Sequence, residues 1–364
     1  MIPEMQSKDD LDTPSLLVNL DIMERNIQKM ADFTKSCGVN LRPHVKTHKI
    51  PELAKIQIEA GARGVCLQKV SEAEVFANHG LDDIFVTNEI VSPQKIQRVA
   101  LLADRIKLAV AVDSYENAVD LSKACSEVGS ELNVLVDIDV GMHRCGVQPG
   151  EAGKLAELVS KQKNLVFKGI MGYDGHVGHG KTREDQEKLA NESMALIAEA
   201  KKSVKKAGIS VDVTSVGSSV STWTDAKNPE VTEVQPGMYV FNAVNLVEEG
   251  VATLEDCALT VLCTIMSKPT EDRAIMDAGS KAFHFDQAQY PWLAGLEGAT
   301  VYAFNEEHAY ISLKGESRRL KVKDRVEAIP VHCCTCINQH DEMIGLRGNK
   351  VEKIWKIAAR GMMK

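Results

Sequence analysis

The 364-residue chain has no apolar run long enough to cross a bilayer, so nothing in it reads as a membrane-spanning helix. It has no excess of positive charge either. The 43 lysines and arginines are outnumbered by 51 aspartates and glutamates, for a net charge of -8. A nucleic-acid partner is therefore not expected, although a local basic pocket stays open. There is no low-complexity linker and no internal repeat beyond an alternation of strand and helix. The first residues, Met1 to Asp12, are polar and acidic and lack the apolar core of a signal peptide. These absences lead to the expectation of a cytoplasmic protein with neither membrane nor nucleic-acid partners. What remains is ordinary globular material: 44% hydrophobic and 26% charged residues, in a chain long enough for a large core or two domains. Six of the nine cysteines are scattered singly, as free thiols in a reducing compartment would be. Three fall together, at Cys333, Cys334 and Cys336.

From Leu16 to Asn242, short apolar strands alternate with amphipathic helices. Strands are predicted at Ser15–Leu20, Val39–Pro43, Gly64–Gln68, Asp83–Thr87, Lys107–Val112, Leu132–Asp137, Val166–Met171, Val211–Val216 and Thr232–Gln235. Helices are predicted at Asp21–Lys35, Ser71–Asn78, Pro93–Ala103 and Arg183–Lys206. Ser71 stands three residues before Glu74, the spacing of a capping box, and Ser114 precedes another helical run. About eight βα units point to a parallel sheet closed into a (β/α)8 barrel over residues 21–250. After Val251 the pattern becomes strand-rich: Leu259–Met266, Arg273–Asp277, Thr300–Phe304, Ala309–Lys314 and Arg325–Val331. Residues 251–364 read as a mostly β domain, joined by the N-terminal strand at 13–20.

The segment Leu41-Arg42-Pro43-His44-Val45-Lys46-Thr47-His48-Lys49 puts a lysine on the turn leaving a predicted strand. Partial burial lowers a lysine's pKa, and the free amine can attack an aldehyde. A solvated basic loop is the plain alternative. Ligand groups of a barrel come from the C-terminal ends of its strands, and four further segments fall there. Asp137 to Gly146 contains Arg144, which could hold a cofactor oxygen or a carboxylate, or pair with Asp137 or Asp139. Tyr173 to His179 contains His176 and His179, each a candidate general base or a structural histidine. Gly217-Ser218-Ser219 can offer backbone N–H groups and hydroxyls to a phosphate, or be a plain turn. Pro236-Gly237-Met238-Tyr239 closes the series. Near the C-terminus, strand alternation would put His332 and Cys334 on one face, a pair suited to a divalent ion with zinc favoured. Two protein ligands leave an open site of catalytic type. Cys336 joins them only if the strand runs straight that far.

The segments RPHVKTHK, QKVSEAE, DVGMHRCGV, GYDGH, Gly217-Ser218-Ser219, QPGMYVF, MDAGSKAF and PVHCCT occur in this order from Thr13 to Asn338. Together they resemble the D-threonine aldolase and D-serine dehydratase group of fold-type III pyridoxal-phosphate enzymes, relatives of alanine racemase. The resemblance implies a barrel, a C-terminal β domain, a homodimer and a metal beside the cofactor. By that likeness Lys46 binds pyridoxal 5'-phosphate as a Schiff base, Arg144 lies near its phenolic oxygen and Tyr173 near its ring. Gly217, Ser218, Ser219 and Tyr239 would contact its phosphate. His332 and Cys334 would hold a divalent metal, zinc or alternatively manganese, magnesium or cobalt.

The implied activity is cleavage of a β-hydroxy-D-amino acid to glycine and an aldehyde, with His179 or His176 as base. The alternative is dehydration of D-serine or 3-hydroxy-D-aspartate to a keto acid and ammonia. The group's aldolases carry an aspartate where Cys334 stands and its dehydratases a cysteine, which favours the alternative; two histidines at the right turn favour the aldolase. A racemase would leave His332 and Cys334 without a task, and a non-catalytic cofactor-binding protein would show no metal dependence.

Overall fold

The computed structural model describes residues 6–364, which fall into two compact units. One comprises residues up to Gln28 and Met238–Arg360; the other comprises Lys29–Gly237 and Gly361–Lys364.

The chain enters through β1 (Ser15–Asn19) and α1 (Leu20–Ser36). Asn19 begins the helix by accepting a hydrogen bond from the Ile22 amide at 3.1 Å. Then follow β2 (Asn40–Leu41), α2 (Pro51–Glu59), β3 (Val65–Leu67), α3 (Val70–Asn78), β4 (Asp83–Glu89), α4 (Pro93–Ala103), β5 (Lys107–Val112) and α5 (Tyr115–Val128). The series continues with β6 (Leu132–Asp137), α6 (Ala152–Ser160), β7 (Leu165–Gly172), α7 (Arg183–Lys206), β8 (Val213–Val216), α8 (Thr222–Asp225) and β9 (Glu233–Val234).

The eight strands β2 to β9 form one parallel sheet in the order β2-β9-β8-β7-β6-β5-β4-β3. Its two ends meet where the Cys66 amide donates to the Pro43 carbonyl at 2.9 Å, beside a parallel bridge between His44 and Cys66. This is the expected barrel. Its interior is packed by Cys66, Phe85, Ala111, Leu135 and Met171, one side chain from each of five consecutive strands. Burying a side chain such as Phe85 contributes about 1.5–3 kcal/mol. The longest helix, α7, starts where Thr182 and Asp185 cap each other reciprocally at 3.1 and 3.2 Å.

The capping box expected at Ser71 and Glu74 lies elsewhere. The helix begins at Val70, and the Glu72 carboxylate accepts from the Lys69 and Gln68 amides at 3.1 and 3.0 Å. Glu74 instead forks onto Arg98 at 2.7 and 2.5 Å. Ser114 does precede α5, but its side chain makes no capping bond.

The other unit continues with α9 (Val244–Glu248), β10 (Leu259–Thr270), β11 (Arg273–Met276), α10 (Ser280–Phe283), β12 (Trp292–Leu293), β13 (Ala299–Phe304) and β14 (Ala309–Leu313). It ends with β15 (Arg325–Ile329), α11 (Cys333–Ile337), β16 (Glu342–Arg347) and β17 (Lys350–Lys356). Strand β1 sits in this sheet, antiparallel to β10 and parallel to β16. Leu11, Leu17, Leu262, Ile344 and Leu346 pack beneath it. None of the nine cysteines, all among the described residues, forms a disulfide. No helix of the described residues is long and apolar enough to cross a membrane.

Candidate active site

Lys46 lies on a short 3-10 turn, Val45–Thr47, separated from the end of β2 by the three residues Arg42 to His44. Its amine sits 5.9 Å from the centre of the Tyr173 ring, which follows β7. The Arg144 guanidinium, on the loop after β6, covers the same ring at 4.7 Å. Lys46, Arg144 and Tyr173 are thus brought together at the C-terminal ends of three separate strands. A Cβ at Gly175 would fall 2.4 Å from the Tyr173 hydroxyl, so glycine there is what lets the ring lie down.

His44 senses the same gathering of cations. Burial pushes its imidazole well below the ordinary histidine value; Lys46 and Arg144 push the same way, and the neighbouring Gln68 side chain opposes them. It is therefore a neutral histidine, bonded through Nε2 to Thr87 Oγ1 at 3.0 Å. Its Nδ1 is buried with no hydrogen-bond partner among the described residues. Sequence reasoning passed over His44, although it stands inside the segment that flagged Lys46.

The nearby Lys49 has a different fate. It pairs with Glu72 at 3.3 Å, the two side chains only 8% and 3% exposed. A lysine committed to a buried carboxylate is a structural element, which separates it from Lys46.

Arg144 makes no ion pair among the described residues, which removes the salt-bridge alternative with Asp139. That carboxylate instead accepts from the Gly141 and His143 amides at 3.0 and 2.9 Å and from His143 Nδ1 at 2.8 Å, tying down the loop that carries Arg144. Burial and the neighbouring Glu89 push Asp137 well above the usual carboxylate range, while Arg144 draws it back. Glu89, Asp113 and Cys145 bring potential ligand atoms within 4.8 Å of one another in this neighbourhood.

The phosphate-type turn follows β8. Gly217 adopts a φ of +100°, and Ser218 and Ser219 are buried, at 8% and 9% exposure. The Gly237 amide donates to Ser219 Oγ at 3.2 Å. Tyr239, buried on a 3-10 turn, belongs to the other unit.

The two candidate bases differ. His176 points into the protein: its Nε2 is 3.5 Å from Ser193 Oγ of α7, and its Nδ1 is buried without a partner among the described residues. His179, one 3-10 turn on, is exposed.

The His332 and Cys334 reading needs a correction. Strand β15 stops at Ile329, and Cys333–Ile337 is a helix with His332 at its N-cap. Pleat alternation therefore does not relate the two residues. They still meet, because an N-cap and the second residue of the helix lie across one tight turn, and the imidazole and thiol interact directly. Burial alone would lower His332, but Cys334 and Asp286 outweigh it and raise it well above the ordinary histidine value, so a metal ion bound here would displace that proton. His332 Nδ1 bonds Asp286 Oδ2 at 2.6 Å, and Thr335 Oγ1 donates to Asp286 Oδ1 at 3.0 Å. A carboxylate fixing one imidazole nitrogen turns the other outward, which is the usual support of a metal-binding histidine. Asp286 was invisible beforehand, lying 46 residues away with no recognisable spacing. Cys336 is excluded as a ligand: its thiol is buried and directed at the Ala282 carbonyl, 3.3 Å away.

The donor sets fit the groups that the sequence suggested. An amine over an aromatic face, a guanidinium and a buried Gly-Ser-Ser turn suit a phosphorylated aromatic aldehyde. An imidazole and a thiol with an oriented carboxylate suit a borderline-soft divalent ion.

Residues 18–244 match the family model described as the alanine racemase N-terminal domain, and residues 258–346 match the putative serine dehydratase domain. The chain is 35% identical to a 3-hydroxy-D-aspartate aldolase of Paracoccus denitrificans, over 99% of this chain and 95% of that protein. It is also 35% identical to a D-threonine aldolase of an Arthrobacter species, over 99% and 96%. Its fold superposes on the crystal structure of D-threonine aldolase from Filomicrobium marinum with a TM-score of 0.96, at 32% identity and complete coverage of both chains. D-threo-3-hydroxyaspartate dehydratase from Delftia sp. HT23 is more distant, at 28% identity and a TM-score of 0.89 over 95% and 97%. A cysteine variant of that dehydratase is described as being in a metal-free form.

Proposed function

The chain belongs to the alanine-racemase-like family of pyridoxal-phosphate enzymes and is a lyase of β-hydroxy-D-amino acids, and from that premise we propose that it catalyses retro-aldol cleavage to glycine and an aldehyde. The observation that carries this reading is the Lys46 amine over the Tyr173 ring, with Arg144 on the same ring. In it Lys46 would hold the cofactor, Tyr173 would support its ring, Arg144 would serve its phenolic oxygen, and Gly217, Ser218, Ser219 and Tyr239 would take its phosphate. The bound cofactor supplies an electron sink for the pair released when a bond at Cα breaks. His332 and Cys334 would hold a divalent ion, which would supply Lewis acidity toward the β-hydroxyl.

The remaining chemistry is proton handling. His179, exposed and not turned into the protein as His176 is, accepts the β-hydroxyl proton, so that Cα–Cβ cleavage releases the aldehyde. Protonation of Cα then completes glycine. Cys334 favours the second reading, in which Lys46 takes the α-proton and the hydroxyl departs, giving keto acid and ammonia. We further propose that the protein acts as a cytoplasmic homodimer.

The test is incubation of the purified protein with D-threonine, D-serine and 3-hydroxy-D-aspartate, with and without chelator. Glycine and aldehyde, lost with chelator, are the expected products. Ammonia and keto acid would replace the aldolase by the dehydratase, and turnover indifferent to chelator would overturn both.

A further inference from the structure

Behind the Gly217-Ser218-Ser219 turn lie two carboxyl groups that the reaction does not use. Asp174 follows Tyr173 after β7, and Asp225 ends α8; both are 0% exposed. Ser221 Oγ donates to Asp174 Oδ1 at 2.7 Å and accepts from the Ser218 amide at 2.9 Å. Thr222 Oγ1 donates to the Ser218 carbonyl at 2.6 Å. A Cβ on Gly217 would lie 3.3 Å from Asp225 Oδ2 and 3.1 Å from Thr222 Oγ1, so Asp225 is packed against the turn itself.

The remaining three oxygens, Asp174 Oδ2 and both of Asp225, are buried without a donor among the described residues. Two ionised carboxylates in contact and out of water repel strongly, and each orphaned acceptor costs free energy of its own. One proton between the two groups, which are within hydrogen-bonding reach of each other, removes the repulsion and engages two of the three oxygens. Burial pushes both carboxyls up, and more strongly for Asp225 because Asp174 adds its charge. The Ser221 hydroxyl opposes the shift of both groups without cancelling it.

We propose that Asp174 and Asp225 are a carboxyl pair sharing one proton, and that through Ser221 they act as positioning residues for the Gly217–Ser219 turn that receives the cofactor phosphate. The phosphate half of this statement rests on the proposed function; the shared proton does not. The pair links the residue after Tyr173 to the turn after β8, so the ring-supporting and phosphate-holding parts keep one spacing. It also adds one negative charge beneath the turn instead of two, which a phosphate dianion would tolerate poorly.

Infrared spectroscopy of the holoenzyme at neutral pH tests the proton. A protonated-carboxyl stretching component is expected in the parent protein and lost in Asp225→Asn, whose amide replaces the shared proton. Because Asp137 can contribute a band of its own, the parent-minus-variant difference is what counts: no protonated-carboxyl component lost in either Asp225→Asn or Asp174→Asn overturns the pair.

Binding of pyridoxal phosphate and of pyridoxal tests the positioning. Asp225→Asn should hold pyridoxal phosphate within about threefold of the parent, whereas Asp225→Ala should weaken it by about tenfold or more, the loss of a buried hydrogen bond to a charged group. Pyridoxal, lacking the phosphate, should be affected by neither. Equal weakening of both ligands would make the pair merely structural and overturn the positioning claim. Should Asp225→Ala not fold, Ser221→Ala breaks the same relay and is read by the same two ligands. If neither ligand binds the parent protein, the proposed function fails while the infrared result still decides the proton.

Discussion

Replacing Asp286 by alanine should cost the protein its metal more than its cofactor. His332 Nδ1 bonds Asp286 at 2.6 Å, with side-chain exposures of only 22% and 26%. A hydrogen bond involving a charged group contributes about 1.5–3 kcal/mol. Partial exposure of Asp286 argues for the lower end, because water replaces some of what is lost. At about 1.4 kcal/mol per decade, that end corresponds to roughly tenfold weaker metal binding. Loss of a carboxylate behind a metal-binding histidine generally costs about 10–100-fold, and the structure places Asp286 at the modest edge of that range. Asp286→Asn keeps an acceptor for Nδ1 without the charge and should fall between. The assay is competition with a chromophoric chelator for zinc and for manganese, alongside the cofactor's visible absorption. Unchanged metal affinity in Asp286→Ala would refute the reasoning. So would parallel loss of metal and cofactor, since the effect would then not run through His332.

Other outcomes follow from the same geometry. Lys46→Ala should abolish the visible absorption of bound cofactor, and a retained band would transfer the covalent role to another lysine. Lys49→Ala should leave that band in place but lower stability by about 3 kcal/mol in denaturant titrations, because it strips a buried partner from Glu72. Cys334→Ala should reduce metal content and turnover while cofactor remains; unchanged metal content would remove Cys334 as a ligand. His179→Asn should lower the turnover rate by about 10²–10⁴-fold with the cofactor spectrum intact, the usual contribution of a general base, and His176→Asn should have the smaller effect on rate. The reverse order would exchange their roles.

The barrel was legible because its signal is local and repeated. Strands buried on both faces read as short apolar runs, and the helices between them carry a period of their own, so eight units can be counted without any contact map. The predicted strand at Ser15–Leu20 was set apart from that count by its place before the first helix; β1 covers Ser15–Asn19 and pairs with β10 and β16. Strand ends were less legible. β2 shrinks to Asn40–Leu41, and β15 gives way to a helix at Cys333, because a two-residue strand or a single turn leaves almost no periodic trace.

By itself the sequence determined which segments stand at the C-terminal ends of parallel strands, and therefore that Lys46, Arg144, Tyr173 and the Gly217 turn share one rim. That follows from chain direction alone, since every barrel strand points the same way. Only the tertiary structure decided what each side chain meets there. It separated Lys46 from Lys49, turned His176 inward and left His179 exposed. It brought Asp286 to His332 across 46 residues and set Asp174 against Asp225. Contacts of that kind depend on loop paths and on which polar atoms remain to be satisfied after the core has packed, and no spacing along the chain encodes them.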